Sequence, residues 1–326
     1  MKFAFLFWEI KGHNIINTFQ SLQKDEFSKP LLHLPSILGS DSCMDFADLE
    51  KRSDRDEFII VSFLGISPFS LRYYWKLFTQ YRKNKKYLIL FEPPVIEPLS
   101  YCRWFHLFFD RIYAYDERLW NSRYKQFSVR NTLDGNRMEP IPFRQKKLLT
   151  MVNTYKYSFS PKALFRERIK AVSFFQSTIP NDFDLYGHSR DTKSFLKKIF
   201  TWSISFLTKW RIPDKIETLS HYKFNLCFEN SSYNWYITEK LWDSFKAKTV
   251  PIYLGAENVK KYIPADTFID FRDFWCNYEK LLSFIQHIDE QTYQKYIDSI
   301  GAFLSSEKIK EHFDQERAKD FIAILK

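Results

Sequence analysis

Residues 222–240 read YKFNLCFENSSYNWYITEK, and this stretch combines a strand, a polar loop and the beginning of a helix. The apolar run at 224–228 predicts a buried strand, and residues 229–236 predict a loop. Thr238 is a favourable N-cap residue, and an apolar helical pattern follows it. The stretch therefore predicts a strand-loop-helix unit of an α/β protein.

The predicted helix start favours the binding of an anion. In open α/β sheets ligands bind beyond the carboxyl ends of strands, where free helix N–H groups attract phosphate. Lys240 in the first turn is unfavourable for the helix dipole, so its charge indicates an anion site. Glu239 beside it is placed to accept hydrogen bonds from sugar hydroxyls. The alternative is an ordinary capped helix with Lys240 in water.

Strands and helices alternate along the rest of the chain, which indicates the α/β class. Apolar runs with no polar face predict buried parallel strands at 3–8, 58–63, 87–91, 224–228 and 250–254. Helical patterns lie between them, at 70–81 and 164–175, and residues 275–326 predict C-terminal helices. Residues 131–160 are interpreted as the connection between two α/β halves.

Glycine is scarce in this chain. Only 7 of 326 residues are glycine, and no two lie closer than 26 positions. Glycine-rich phosphate loops and the dinucleotide fingerprint need closely spaced glycines, so these classes of nucleotide site are excluded. Any phosphate must be held by side chains or by a helix N-terminus.

The net charge of +10 favours anionic partners. A basic nucleic-acid-binding module would need aromatic side chains on its surface. Most aromatics here fall in predicted strands and apolar helix faces, so we expect no nucleic-acid partner. The cysteines and histidines are scattered, which predicts reduced thiols and no metal site.

Two segments bear on membranes. The apolar run at 3–8 is too short for a signal sequence or a span, and no stretch of 18 apolar residues occurs. The segment 192–211 mixes lysines with phenylalanine and tryptophan. It is either a basic amphipathic helix on anionic lipid or a surface helix on its own domain.

The run FENSSYNWYITEKLWDSFKAKTVPIYLGAENVKKYIPADTFIDFRDF, residues 228–274, resembles the signature of the α-1,3-fucosyltransferases, glycosyltransferase family 10. The FEN, TEK and VPIYLG elements match in register, and Thr267 replaces the usual serine. Weaker similarity at LFEPP (90–94), LFRER (164–168) and FDLYG (183–187) extends the resemblance over most of residues 85–310.

The resemblance implies the GT-B architecture, in which two Rossmann-like domains face each other across a cleft. Residues 1–150 would form the acceptor domain. Residues 151–326 would form the GDP-fucose domain with the C-terminal helices. A length of 326 residues agrees with two domains.

The resemblance also implies an inverting α-1,3-fucosyltransferase. Glu92 matches the general base, and Lys240 and Arg168 match the pair that binds the pyrophosphate. Arg166 is an alternative to Arg168, because residues two apart do not share a helix face. These basic residues replace a metal, so no cofactor is required, and a divalent metal is at most stimulatory.

Three further residues match donor-binding positions: Asn230, Tyr236 and Glu239. Asn234 and Trp235 depart from the family, since a glycine is expected in this loop, and this departure bears on the Tyr236 contact. Asp182-Phe-Asp184 imitates a metal-binding DxD motif and is interpreted as the end of a strand.

The implied partners are GDP-fucose and a glycan acceptor, of the oligosaccharide or lipopolysaccharide type, with N-acetylglucosamine as the family expectation. Another sugar nucleotide or linkage is the alternative. The resemblance to bacterial members implies a cytoplasmic enzyme, with peripheral contact at the inner face of the membrane through 192–211.

Overall fold

A computed structural model of the chain gives the fold. The structure describes residues 1–7, 9–10, 15–16, 18–19, 29–39, 41–90, 92–114, 123–126, 138–153, 158–187, 212, 214–312, 322–323 and 325. The chain forms two compact units, one of Met1–Asp134 with Lys310–Lys326 and one of Gly135–Ile309.

The first unit is built on a six-stranded parallel sheet with the order β4-β1-β5-β6-β7-β8. In chain order, its described elements are β1 (Lys2–Leu6), β2 (Glu9–Ile10), β3 (Ile15–Ile16), α1 (Lys29–Leu32), α2 (Leu34–Leu38), β4 (Cys43–Asp45), α3 (Phe46–Leu49), β5 (Phe58–Ser62), α4 (Leu71–Gln80), β6 (Lys86–Ile89), α5 (Arg103–His106), β7 (Arg111–Ala114) and β8 (Tyr124–Gln126). The short strands β2 and β3 pair with each other in an antiparallel manner.

The core of the first unit follows from the apolar runs. Leu6, Ile60 and Leu88 come from three neighbouring strands, and they pack with the inner face of α4. On that helix Tyr74 and Leu77 point inward, as expected for residues three apart. Each fully buried side chain of this size stabilises the fold by about 1.5–3 kcal/mol.

The second unit contains a five-stranded parallel sheet with the order β10-β9-β11-β12-β13. Its described elements are β9 (Lys147–Val152), α6 (Phe165–Thr178), β10 (Phe183–Tyr186), α7 (Lys215–Ser220), β11 (Tyr222–Phe228), α8 (Glu239–Lys246), β12 (Val250–Leu254), β13 (Ile269–Asp270), α9 (Tyr278–His287) and α10 (Glu290–Leu304).

Side chains cap three helices of the second unit. Asp214, Asn277 and Asp289 each accept a hydrogen bond from a backbone N–H in the first turn of α7, α9 and α10. Such caps satisfy donors that the helix itself leaves unpaired. Helices α9 and α10 confirm the predicted C-terminal helices at Tyr278–His287 and Glu290–Leu304, and residues 313–321 of that prediction lie outside the described residues.

The expected boundary between residues 150 and 151 lies inside β9. The structure divides the chain at Asp134 instead. It also places the last residues of the chain with the first unit, where the Arg111 guanidinium donates to the Leu325 carbonyl at 3.4 Å. The residues predicted to connect two halves thus include a strand that pairs with both β10 and β11.

The Asp182-Phe-Asp184 motif lies at β10. Asp184 is buried within this strand, and its carboxylate accepts hydrogen bonds from Lys147 and from the Tyr222 hydroxyl.

The segment 192–211 lies outside the described residues. Within the described part of the chain, every helix is too short or too polar to cross a membrane.

Candidate functional site

The strand-loop-helix unit lies where the sequence places it. Strand β11 is buried along almost its whole length. Phe224, Leu226 and Phe228 pack in the core on one face, and the buried Asn225 on the other face donates to the Ser244 hydroxyl at 2.9 Å. The loop that follows leads to Thr238, the N-cap residue of α8. Glu239 and Lys240 therefore occupy the first turn of a helix beyond the carboxyl end of a central parallel strand.

Glu229 fixes the start of this helix. Its side chain is completely buried, and its Oε1 accepts the Thr238 backbone N–H at 2.7 Å. Its Oε2 accepts the Thr238 hydroxyl, also at 2.7 Å. The predicted N-cap residue is confirmed in position, but its hydroxyl serves Glu229 and makes no cap bond to the helix.

Lys240 is the cation nearest to this carboxylate. Its Nζ lies 3.4 Å from Glu229 Oε2, 3.0 Å from Glu239 Oε1 and 3.1 Å from the Thr238 hydroxyl oxygen. The side chain is only 12% exposed, so its ammonium group is held by these oxygens near the helix start.

The carboxylates of the site have opposite pKa shifts. Burial raises the pKa of Glu229. Burial acts in the same direction on Glu239, yet the ammonium groups of Lys240 and Lys215 lower the pKa of Glu239 to about 2. Glu239 thus stays charged at neutral pH, with more than a third of its side chain exposed.

Arg168 reaches the same loop from α6. Its guanidinium is 1% exposed, and it donates to the Phe228 carbonyl at 2.6 Å and to Asn230 Oδ1 at 3.0 Å. Asn230 Nδ2 in turn donates to the Tyr236 hydroxyl at 3.0 Å. Arg166, two residues earlier, is exposed, so the two arginines lie on different faces as expected.

The structure thus joins five of the predicted site residues around one loop. Arg168, Asn230 and Tyr236 form a hydrogen-bonded chain, and Glu239 and Lys240 form an ion pair. Arg168 is nearly fully buried, whereas Arg166, the alternative to it, is exposed. The bonds of Arg168 to the Phe228 carbonyl and to Asn230 fix the end of β11 and the first residues of the loop.

Sequence reasoning missed two groups that support the site. One is Glu229, whose role depends on a residue nine positions later. The other is the Lys215–Asp243 ion pair at 2.5 Å, which joins α7 to α8. Although burial disfavours the charge of Lys215, the Asp243 carboxylate raises the pKa of this lysine.

Close packing beside Glu229 explains one of the few glycines. A Cβ atom at Gly255 would lie 2.5 Å from Cγ of Glu229 and would also meet the Tyr253 hydroxyl. That hydroxyl accepts the Ala256 N–H at 3.0 Å. Only glycine at position 255 leaves room for the Glu229 side chain, so the last residue of the VPIYLG element allows this carboxylate to be buried.

The loop also contains a left-handed residue. Trp235 has a φ of 68°, a conformation that glycine adopts without strain. Its backbone N–H donates to Asn258 Oδ1 at 3.0 Å, and its ring lies 4.4 Å from that of Tyr262. The family resemblance leads us to expect a glycine in this loop, and this conformation gives a physical reason for one.

Glu92 belongs to the first unit. It follows β6, is half-buried, and its backbone carbonyl accepts the Tyr101 hydroxyl at 2.9 Å. Pro93 begins a tight turn, since its carbonyl accepts the N–H groups of Ile96 and Glu97 at 2.8 and 3.0 Å. This turn fixes the chain directly after Glu92, as the two prolines predict.

Glu97 is a second carboxylate on this edge of the sheet that sequence reasoning passed over. Its Oε2 accepts the Ser100 hydroxyl at 3.0 Å, and its carboxyl group lies against Gly65 in the loop after β5. Ser100 Oγ also accepts the Ile66 N–H at 3.0 Å. Glu97 therefore ties two loops together at the carboxyl edge of the first sheet.

Metal ligands are not clustered in the described part of the chain. No three His, Cys, Asp or Glu side chains there lie close enough to share an ion. The thiols are all unbridged, with Cys43 and Cys227 buried and Cys102 and Cys276 exposed.

The family model for glycosyltransferase family 10 (fucosyltransferase), C-terminal region, matches residues 146–318, more than half of the chain. The protein belongs to this family. The matched region contains every predicted donor-binding residue of this fucosyltransferase family member, whereas Glu92 lies outside it.

Individual relatives agree with this assignment over shorter stretches. The Helicobacter pylori α-(1,3)-fucosyltransferase FucT is 38% identical over 79 residues, which is 24% of this chain and 16% of the relative. The mouse 4-galactosyl-N-acetylglucosaminide 3-α-L-fucosyltransferase 9 is 47% identical over 95 residues, 28% of this chain and 26% of the relative. The aligned parts thus span about a sixth and a quarter of these relatives.

Solved structures show the fold of this family member. An α1,3-fucosyltransferase crystallised with GDP-fucose matches 99% of this chain and 89% of its own, at a TM-score of 0.56 and 18% identity. The lipopolysaccharide outer core galactosyltransferase WaaB matches 100% of this chain and 99% of its own, at a TM-score of 0.53 and 12% identity. With the two parallel sheets, these matches identify the two-domain α/β fold of the GT-B class.

Proposed function

We propose that this protein transfers L-fucose from GDP-fucose to a hydroxyl group of a glycan. The observation that carries the proposal is the position of Lys240, in the first turn of α8 within the family-matched region. A helix start with a fixed ammonium group suits a diphosphate, because the helix N–H groups and the cation both favour negative charge.

The donor would lie along the loop after β11. Lys240 would contact the pyrophosphate, and the buried Arg168 would add positive charge while it holds Asn230 in place. Asn230 and Tyr236 would bind phosphate and fucose oxygens. Glu239, charged and partly exposed, would accept hydrogen bonds from ribose or fucose hydroxyls.

The transfer would be a single inverting displacement. The acceptor oxygen bonds to the anomeric carbon of fucose, the bond from that carbon to the β-phosphate oxygen breaks, and GDP leaves with the electron pair. Glu92 takes the acceptor proton, which is worth about 10²–10⁴-fold in rate. Lys240 and the helix start stabilise the charge on GDP, so a divalent metal is not required.

We infer that the acceptor is an oligosaccharide or a lipopolysaccharide-type glycan, with α-1,3 transfer to N-acetylglucosamine. The name of the mouse relative, a 3-α-L-fucosyltransferase of a galactosyl-N-acetylglucosaminide, motivates this choice. We also propose a cytoplasmic enzyme that works at the inner membrane face, in line with the net charge of +10.

A transfer assay tests the proposed function. The purified chain is incubated with GDP-fucose and a panel of acceptors with and without terminal lactosamine, in the presence of a chelator. We expect release of GDP and a fucosylated product whose NMR spectrum shows an α-1,3 linkage. Transfer from GDP-mannose or UDP-galactose, but not from GDP-fucose, would contradict the proposal, and a reaction that the chelator abolishes would contradict the metal-free mechanism.

A further inference from the structure

The first unit exposes a group of large apolar side chains on α4 and around α5. Trp75 and Trp104 are 74% and 81% exposed, and three neighbours are more than half exposed: Leu71, Leu107 and Phe108. We call these five side chains the aromatic patch. Side chains of this size are seldom exposed together on a soluble protein unless the surface binds something.

The aromatic patch is continuous. Leu71, Trp75 and Phe78 lie four and three residues apart, on one face of α4. The Phe78 ring stacks on that of Phe108 with 4.5 Å between centroids. Trp104 belongs to α5 and Phe108 follows that helix by two residues, so exposed apolar side chains of both segments lie near the contact with Phe78.

The topology explains why these two helices meet. Helix α4 connects β5 to β6, and α5 lies between β6 and β7, which are successive neighbours in one parallel sheet. Right-handed crossovers in one direction place both helices on the same face of the sheet. The contact between Phe78 and Phe105, with ring centroids 5.7 Å apart, agrees with this placement.

The segments that carry the aromatic patch are rich in basic residues. No Asp or Glu occurs at residues 58–91 or 98–109, and the exposed Asp110 that follows accepts the Lys86 N–H. Exposed basic side chains of these stretches are Arg72, Arg82, Lys83, Lys85 and Arg103. Glu50 and Asp56 face Lys76 and Lys83 from a neighbouring segment, so the surplus rests mainly on the arginines and Lys85.

We propose that the aromatic patch binds the surface of an anionic lipid bilayer. Tryptophan rings are favourable at the level of lipid headgroups, and leucine and phenylalanine side chains gain from insertion below them. Arginine and lysine around the apolar group are attracted to anionic headgroups. The two exposed leucines favour lipid over nucleic acid, which stacks on rings and gains little from aliphatic side chains.

The proposal assigns membrane contact to a different part of the chain from the segment 192–211. It concerns only the first unit, and it does not depend on the proposed fucosyl transfer. Binding can be measured on the full chain without donor or acceptor, so a failure of the transfer assay leaves the result interpretable.

Vesicle sedimentation tests the proposal. The probes are vesicles of equal parts phosphatidylcholine and phosphatidylglycerol, vesicles of phosphatidylcholine alone, and a single-stranded RNA oligonucleotide. We expect binding to the anionic vesicles that weakens with added salt. The double variant Trp75→Ser/Trp104→Ser should bind these vesicles at least about tenfold more weakly.

Matched variants make the result specific. Trp275→Ser removes a tryptophan that is 87% exposed on the second unit, and it should bind vesicles as the parent does. The double variant should keep the parent's circular dichroism and melting temperature, because both side chains are exposed. Brominated phosphatidylcholine should quench tryptophan fluorescence of the parent more than that of the double variant.

Three outcomes would overturn the proposal. One is vesicle binding that the double variant leaves unchanged, as when 192–211 alone holds the protein on lipid. A second is equal loss of binding in Trp275→Ser. The third is a patch that binds RNA, or a second copy of the chain by analytical ultracentrifugation, while vesicles are not bound.

Discussion

The same dipeptide follows a buried strand in each unit, and its glutamate has opposite surroundings. The sequence reads Phe-Glu at 228–229 and at 91–92. Glu229 directly follows β11, and Glu92 lies three residues after the last residue of β6. Glu229 is completely buried and bonded to Thr238 through both carboxylate oxygens. Glu92 is half-buried and stands before a turn that starts at Pro93.

The difference shows that a strand end does not by itself make a carboxylate catalytic. Both carboxylate oxygens of Glu229 accept hydrogen bonds from Thr238, and Lys240 forms an ion pair with one of them. The loop after Glu92 instead begins a turn at Pro93, and the Glu92 side chain is half-buried. We infer that Glu229 positions the donor loop, whereas Glu92 is the base of the proposed transfer.

The largest expected effect is on turnover. Glu92→Gln should lower kcat at least about 10²-fold, because an amide cannot accept the acceptor proton. The affinity for GDP-fucose, measured by calorimetry, should stay within about twofold of the parent.

Glu97→Gln is the matched control for this variant. Glu97 lies on the same sheet edge but is bonded to Ser100 and packs on Gly65, so we expect its kcat to remain within a factor of a few. If Glu97→Gln lost the activity and Glu92→Gln kept it, the base would be Glu97 and the comparison of the two Phe-Glu pairs would fail.

The next effect concerns the donor. Lys240→Ala should weaken GDP-fucose binding by about 10- to 100-fold, since a charge-assisted bond contributes about 1.5–3 kcal/mol. Lys261→Ala, on an exposed lysine of the same unit, is the control and should leave the affinity unchanged. Equal affinities in calorimetry for the parent and Lys240→Ala would remove Lys240 from the donor site.

Substitution of Glu229 and of Glu92 should have different effects on the stability of the protein. Glu229→Ala should lower the free energy of unfolding by about 1–3 kcal/mol, because the Thr238 N–H and hydroxyl would be buried without their acceptor. Glu92→Ala should change it by less than about 1 kcal/mol. Urea denaturation measures both values, and similar losses in the two variants would contradict the distinction.

The sequence allowed much of this fold to be predicted, for physical reasons. Strands β1, β5, β6, β11 and β12 are formed by runs of mostly apolar residues, and their predicted positions are confirmed with small shifts at the ends. Strand β9 was missed because it follows a basic run and lies in a stretch rich in proline. A short strand in such surroundings has no periodicity that separates it from a loop.

The site residues could be predicted only where their positions depend on neighbouring residues in the sequence. Lys240 and Glu239 follow an N-cap residue, so their place in the first helical turn can be read from the chain. The burial of Arg168 and the clasp between Glu229 and Thr238 depend on how α6 and the loop pack on the end of β11. No local pattern encodes that packing.

A smaller effect on the free energy of unfolding is expected at acidic pH. The pKa of Glu239 is lowered in the folded protein to about 2, from 4.5. Its contribution to stability is therefore fully present above pH 4.5 and is lost as the pH falls toward 2. Because the side chain is partly exposed, the contribution should stay below about 1 kcal/mol.

Denaturation at several pH values checks this. Glu239→Gln should be less stable than the parent near pH 6, and the difference between the two should shrink as the pH is lowered through this window. A difference that grows on acidification would show that Glu239 is not held as an anion by Lys240 and Lys215.

The smallest effect on the free energy of unfolding is expected for Trp235→Gly, because the substitution has stabilising and destabilising consequences that oppose each other. Glycine would relieve a left-handed conformation that costs an L-residue about 1–2 kcal/mol. It would also remove the ring contact with Tyr262, worth about 0.5–1.5 kcal/mol, and gain chain entropy in the unfolded state. Trp235→Gly should thus leave the unfolding free energy nearly unchanged.

A double-mutant cycle separates the two terms. In a Tyr262→Ala background the ring contact is already gone, so Trp235→Gly should be more favourable than in the parent by about 0.5–1.5 kcal/mol. The Asn258 bond uses the backbone N–H of residue 235 and survives in both backgrounds. If the affinity for GDP-fucose is also unchanged, ring packing on Tyr262 allows Trp235 to hold the backbone conformation that glycine would adopt. The bond between Asn230 and Tyr236 is then the same in both variants. A coupling of zero would mean that Tyr262 does not offset the strain.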